Sequence, residues 1–154
     1  MKKIVLSLLT LTVFISCKKE KEPEIVPTEE EKEVAVIPVQ ECYEGILKND
    51  TISMAITVAD DQSVTGKLNY KFFEKDKNEG TLTGQMKGDT LFGDYTFMSE
   101  GMTSVREVVF LKKGKLFTEG YGDVVDDNKG KITFKDKKKL FFDSKVVLVE
   151  TECK

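Results

Sequence analysis

Residues 51–58 read TISMAITV, and this stretch decides the fold because a large apolar side chain occupies every second position and small or polar side chains lie between them. Successive side chains of an extended strand point to opposite faces, so the alternation predicts a strand with one buried face and one face in water. The side chains predicted to be buried are Ile52, Met54, Ile56 and Val58. A helix would need apolar residues three or four positions apart, and the chain shows no sustained pattern of that kind.

The same pattern recurs on both sides of residues 51–58. Short runs rich in β-branched and aromatic residues are separated by clusters of Asn, Asp, Gly and Lys, which supply the positive φ angles of tight hairpins. The segments predicted to be strands are residues 43–48, 51–59, 63–74, 81–87, 90–98, 102–112, 115–121, 131–134 and 140–151. Consecutive hairpins predict an all-β, antiparallel up-and-down meander.

Three glycines inside the predicted strands, Gly66, Gly84 and Gly93, favour closure of the meander into a small barrel of about eight strands, because strands coil sharply where no side chain is present. Cys42 begins the first strand and Cys153 ends the last. An even-numbered meander that closes brings these two cysteines side by side. In an oxidising compartment we expect a disulfide at that seam.

The composition narrows the possible functions. The formal net charge is −3 and becomes about −5 if Lys2 and Lys3 leave with a signal peptide, so no nucleic-acid partner is expected. The chain has no histidine, which is the usual general base near neutral pH and a common metal ligand. We therefore expect no enzyme activity, no metal and no cofactor, and a carboxylate-based hydrolase is the least favoured alternative.

The first seventeen residues have the order of an export signal: two lysines, an apolar run over residues 4–15, and a small residue before a cysteine. Residues 14–17 read FISC and resemble the lipobox of bacterial lipoproteins, although Phe14 stands where Leu is usual. The resemblance implies a signal peptide over residues 1–16, an acyl chain such as palmitate on Cys17, and a membrane anchor. The alternative is an ordinary cleaved signal with a bystander cysteine.

Residues 17–41 form the predicted linker between the anchor and the barrel. After Cys17 they include four lysines, eight glutamates and all three prolines but no aromatic residue, so they cannot bury enough apolar area to offset their ordering entropy. The residue after the cysteine is Lys18 and not Asp, which is similar to lipoproteins that are sorted to the outer membrane. We expect a barrel over residues 42–154, lipid-anchored to the outer membrane on its periplasmic face or at the cell surface.

A closed meander of this length resembles the lipocalin-like barrels in architecture. The Gly-x-Trp motif near the start of true lipocalins is absent, since residues 43–45 read YEG and the chain has no tryptophan. The resemblance therefore implies no binding residue. It implies a barrel that is either filled by side chains or holds one small ligand.

Residues 93–122 contain the candidate functional residues. These are Asp94, Tyr95, Arg106, Glu107, Glu119 and Tyr121. Around a barrel mouth they would hold a carboxylate or phosphate, because the guanidinium of Arg106 binds such groups with two hydrogen bonds. The favoured interpretation is nevertheless a structural pair of Arg106 that fixes the strand register.

Two registers are open for the hairpin that contains Arg106. A three-residue loop that ends at Gly101 places Asp94 opposite Arg106 as an ion pair, and this register is preferred. A two-residue turn that ends at Gly101 places Tyr95 opposite Arg106 and Asp94 opposite Glu107.

Two functions from different classes remain. The favoured one is a structural or protein-interaction module whose barrel is filled solid and whose outer face meets another envelope protein. The alternative is binding of a small apolar or amphipathic ligand, which an interior cavity of about 300 Å³ or more would favour. The phenylalanines expected to fill the barrel are Phe72, Phe73, Phe92, Phe97, Phe110, Phe117, Phe141 and Phe142.

Overall fold

The computed structural model describes residues 39–75, 77–142 and 147–153, which form an all-β domain. The predicted signal peptide, Cys17 and linker residues 17–38 lie outside the described residues. The strands in the described ranges are β1 (Gln40–Leu47), β2 (Asp50–Val58), β3 (Ser63–Lys71), β4 (Lys77–Lys87), β5 (Thr90–Ser99), β6 (Met102–Lys113), β7 (Leu116–Glu119), β8 (Val124–Asp126), β9 (Lys131–Phe134) and β10 (Val147–Thr151). Within these ranges no helix is long and apolar enough to cross a bilayer.

Eight of these strands close into a barrel, as the sequence predicts. Neighbours pair antiparallel in the order β1, β2, β3, β4, β5, β6, β7 and β10, and β10 returns to pair with β1. The expected disulfide stands at this closing seam. Cys42 lies opposite Thr151 in the ladder, and its Cα lies 5.2 Å from the Cα of Cys153.

Residues 122–142, which we call the strap, leave the meander between β7 and β10. The predicted strand at residues 131–134 is present as β9, but it lies parallel to β6, with Val105 opposite Lys131, and β8 pairs with β9. The reason is a difference in length. β6 has 12 residues and β7 has 4, so β7 pairs only with the last part of β6 and leaves backbone groups of the first part to β9.

The core occupies the barrel interior and draws on the inner faces of strands all round the barrel. The alternation of residues 51–58 is realised there, since Ile52, Met54 and Ile56 are at most 4% exposed. The other core side chains, each at most 2% exposed, are Tyr43, Val64, Leu68, Leu82, Leu91, Tyr95, Val108, Phe110, Phe117 and Leu148. Each large apolar side chain of this kind contributes about 1.5 to 3 kcal/mol by leaving water.

The barrel has two unlike ends. One end carries the β2–β3, β4–β5 and β6–β7 hairpins and the disulfide, and we call it the filled end. Here Lys112 Nζ lies 2.8 Å from a carboxylate oxygen of Glu41 and 5.5 Å from the centre of the Phe117 ring. The opposite end, with the β1–β2, β3–β4 and β5–β6 hairpins, we call the mouth. Because Gln40 begins β1, the chain enters the barrel at the filled end.

Candidate functional site

A pocket of about 230 Å³ opens at the mouth. Its lining comes from the inner faces of the strands and from the hairpins at this end: Leu47, Asp50, Ile52, Tyr70, Phe72, Asn78, Tyr95, Phe97, Arg106, Glu119 and Tyr121. Four of the six candidate residues are among them. The barrel is therefore filled in one part and hollow in the other.

The β5–β6 hairpin overturns the preferred register of the sequence analysis. Ser99 lies opposite Met102, so the connection is a two-residue turn, and its residues Glu100 and Gly101 have φ angles of 51° and 80°. Positive φ at both central positions gives the turn a twist that matches the strands. The expected Asp94–Arg106 pair is wrong because Glu100, a residue that rarely adopts positive φ, does so here.

This register separates the candidate residues onto two faces. Tyr95 and Arg106 lie opposite each other and line the pocket, while Asp94 and Glu107 face outward. Asp94 accepts a hydrogen bond from Lys131 Nζ at 2.7 Å. Glu107 accepts one from the backbone N–H of Phe134 at 2.9 Å and pairs with a lysine of the strap. The outward pair therefore attaches the strap to the barrel and takes no part in the pocket.

Glu119 is the most buried charged group of the pocket, at 6% exposure. The Tyr70 hydroxyl donates to its Oε1 at 2.8 Å, and the Tyr121 hydroxyl donates to its Oε2 at 3.0 Å. Burial raises the pKa of the Glu119 carboxyl above its ordinary value, against the lowering effect of the two tyrosines and the charge of Arg106. Burial and the neighbouring Glu119 raise the pKa of Tyr70 well above its ordinary value, so Tyr70 stays a donor.

Arg106 and Tyr95 differ from Glu119 because neither has a hydrogen-bond or ion-pair partner among the described residues. Within the described ranges the Arg106 guanidinium forms no hydrogen bond or ion pair, and its charge reaches Glu119 and Tyr70 only at longer range. Tyr95 is 2% exposed, and its hydroxyl has no partner among the described residues. Burial, with a smaller effect of the Glu79 charge, raises the pKa of Tyr95 to about 12. Two hydrogen-bond donors without a partner among the described residues, the Arg106 guanidinium and the Tyr95 hydroxyl, therefore belong to the adjacent strands β6 and β5.

Aromatic rings form one wall of the pocket. The rings of Tyr95 and Phe97 stack with centres 4.8 Å apart, and the Tyr70 ring meets Tyr95 edge-on at 5.5 Å. Gly80 makes this possible, because a Cβ on that residue would lie 2.6 Å from the Tyr95 ring. The ring therefore lies flat against the backbone of β4, and Gly80 cannot be enlarged without moving it.

Tyr70, which completes the Glu119 network, and Asn78 were not predicted from the sequence, and Phe72 and Phe97, expected to fill the barrel, instead line the pocket. A signal for Tyr70 was present, because it continues the inward alternation of Val64 and Leu68 along β3. Phe97 likewise lies two residues beyond Tyr95 on the same face of β5. Alternation alone did not show which inward residues fill the barrel and which line a hollow.

No group of three or more acidic or cysteine side chains in the described ranges is arranged to hold a metal ion. Comparison of the chain with protein-family models, with curated proteins and with solved structures finds no match. The functional interpretation therefore rests on the pocket and its side chains.

Proposed function

We propose that the mouth of the barrel binds a small, largely apolar ligand. The observation that carries this proposal is the hollow beside the filled core: a pocket lined by stacked aromatic rings, with a few polar groups converging on it. Small-molecule sites have this mixture of apolar walls and few polar groups. At about 230 Å³ the pocket lies below the usual range of about 300 to 1,000 Å³, so it fits a compact ligand.

The distribution of the phenylalanines supports a ligand over a solid barrel. Phe110 and Phe117 are fully buried in the core, as a filled barrel requires. Phe72 and Phe97 instead line the pocket, and Phe73 is 55% exposed. The aromatic bulk that was expected to fill the interior therefore leaves the mouth open.

A neutral aromatic probe tests the proposal. We expect benzyl alcohol, titrated into the full-length protein, to shift the backbone amide resonances of mouth residues such as Tyr70 and Phe97. Asn78→Phe places a ring in the pocket and should abolish these shifts, because Asn78 is a lining residue. Thr81→Phe is the matched control, since Thr81 is an exposed residue of the same strand. Absence of shifts in the wild-type protein, or unchanged shifts in Asn78→Phe, would refute the proposal.

Protein interaction is the second candidate, and an apolar strip on the outer wall favours it. The strip contains Ile46, Leu116, Val147 and Val149, with exposures of 68%, 38%, 37% and 50%. Val149 lies opposite Leu116 on β7, so the two share a face. Native mass spectrometry of protein extracted from membranes in detergent distinguishes a retained protein from a retained small molecule.

A lipid anchor on Cys17 and a place at the outer membrane remain part of the proposal. The lipobox-like residues 14–17 and the charged linker support it. β1 begins with Gln40 at the filled end, and the pocket opens at the other end of the barrel. Incorporation of labelled palmitate into the wild-type protein and its loss in Cys17→Ser would support the anchor, and equal labelling would contradict it.

A further inference from the structure

We infer that the mouth recognises a carboxylate group on its ligand through the Arg106 guanidinium. This inference rests on the proposed ligand-binding function and names the polar group of the ligand. Arg106 lies on the inner face of β6, opposite Tyr95 on β5 in the ladder, and both residues line the pocket. The Tyr95 ring leans toward β4, beside Gly80, so the guanidinium of Arg106 is the donor assigned to the carboxylate.

Arg106 supplies the charge for an anion. It is the one basic side chain among the described residues that line the pocket. Its guanidinium presents paired N–H donors that match the two oxygens of a carboxylate. Since it has no hydrogen-bond or ion-pair partner among the described residues, these donors are available to a ligand.

The acidic side chains near Arg106 are engaged elsewhere. Both oxygens of Glu119 accept tyrosine hydroxyls, and Asp50 accepts the backbone N–H of Phe73 at 2.7 Å. Asp94 and Glu107 face outward and hold the strap. An oxyanion from outside the protein is therefore the natural partner of Arg106.

The Tyr95 hydroxyl is an independent sign that a ligand acceptor is missing. It is buried, it belongs to a residue that lines the pocket, and it has no partner among the described residues. Buried polar groups are rarely left without a hydrogen bond. A polar atom of a bound ligand would satisfy this hydroxyl. A ligand amine would be repelled by the positive charge of Arg106. Both oxygens of Glu119 already accept hydrogen bonds and so would not attract it strongly.

Benzoate and benzamide test this inference because they share size and shape and differ in charge. We expect the full-length wild-type protein to bind benzoate at least tenfold more tightly than benzamide, measured by amide-resonance titration at neutral pH. Arg106→Met should remove this preference and leave benzamide binding unchanged. Arg106→Lys, which keeps the charge and loses the paired donors, should retain a smaller preference. Lys131→Met is the control, since Lys131 is a cation on the outer face.

The possible failures are distinguishable. If benzamide and benzoate bind equally to the wild-type protein, carboxylate recognition is wrong and the ligand-binding function stands. If the preference for benzoate survives in Arg106→Met, the assignment of Arg106 is wrong. If neither compound nor benzyl alcohol binds, the proposed function fails and this inference fails with it. Circular dichroism of each variant shows whether the barrel has folded.

Discussion

Glu119 is a carboxyl group that the fold holds at 6% exposure between two tyrosines at the base of the pocket. Removing a carboxylate from water is costly, and two hydroxyl donors recover only part of that cost. Burial therefore dominates, and the pKa of Glu119 is raised in spite of its donors and of Arg106. Burying Glu119 costs folding free energy, but its hydrogen bonds hold the rings of Tyr70 and Tyr121 in the positions that leave the pocket open.

We expect Glu119→Gln to flatten the pH dependence of the unfolding free energy. A raised pKa means that the folded state binds the proton more tightly than the unfolded chain does. The resulting stabilisation is complete below the ordinary carboxyl pKa and is lost as the pH rises through the raised value. Urea denaturation from about pH 4 to about pH 7 measures it. Glu150→Gln, at the filled end, is the control, and parallel curves for wild type and Glu119→Gln would contradict the assignment.

Individual residues show how much of the site could be predicted from the sequence. Arg106, Tyr95, Glu119 and Tyr121 were identified from their chemistry, and the structure places all four at one pocket. The residue opposite Arg106 could not be predicted from the sequence, because it depends on whether Glu100 adopts a positive φ angle. That choice follows from the twist of the whole hairpin, which local propensity does not contain.

At the scale of elements, one residue of register decides which side chains face the pocket. Side chains alternate with a period of two, so a shift by one residue moves a whole set to the other face. The observed register puts Asp94 and Glu107 on the outer face, where they bind the strap. Neither carboxylate is therefore an ion-pair partner of Arg106. The same logic explains β9: its residues predicted a strand, but its parallel pairing with β6 is a non-local contact.

Glu107→Gln should loosen the strap and leave the barrel intact. The Glu107 carboxylate accepts the Phe134 N–H and pairs with Lys137, so its neutral replacement weakens both contacts. We expect faster hydrogen exchange at the amides of β9, by about tenfold for a loss of about 1.4 kcal/mol, with unchanged exchange in β2 and β3. Glu79→Gln is the control, because Glu79 pairs with Lys77 through two exposed side chains of β4. Unchanged exchange at β9 would show that other contacts hold the strap.

For the whole molecule, alternation and hairpin signals were enough to predict a closed antiparallel barrel, because both act between neighbours in sequence. They were not enough to predict that it is filled at one end and hollow at the other. That division depends on three-dimensional packing, such as the Tyr95 ring lying over Gly80, and on a charged network that holds Tyr70 beside Glu119. The chain contains enough phenylalanine for either a filled or a partly hollow barrel, so composition alone does not distinguish the two.

The disulfide is the feature whose loss should affect the whole barrel at once. It joins residues separated by 111 positions, and the loop-entropy model gives about 4 to 5 kcal/mol for a loop of that size. We expect the double replacement Cys42→Ser with Cys153→Ser to lower the unfolding free energy by up to this amount, measured by urea denaturation against the oxidised wild type. Typical domains have about 5 to 15 kcal/mol in total, so the variant should remain folded but marginal.

The same variant separates stability from binding. The disulfide lies at the filled end and the pocket at the mouth, so the folded fraction of the double variant should bind benzyl alcohol as the wild type does. Unchanged denaturation would mean that the hydrogen bonds between β1 and β10 close the barrel without help from the cross-link. Loss of binding in folded protein would mean that the seam controls the shape of the pocket, because a closed ring of strands transmits a shift at one seam to every neighbouring pair.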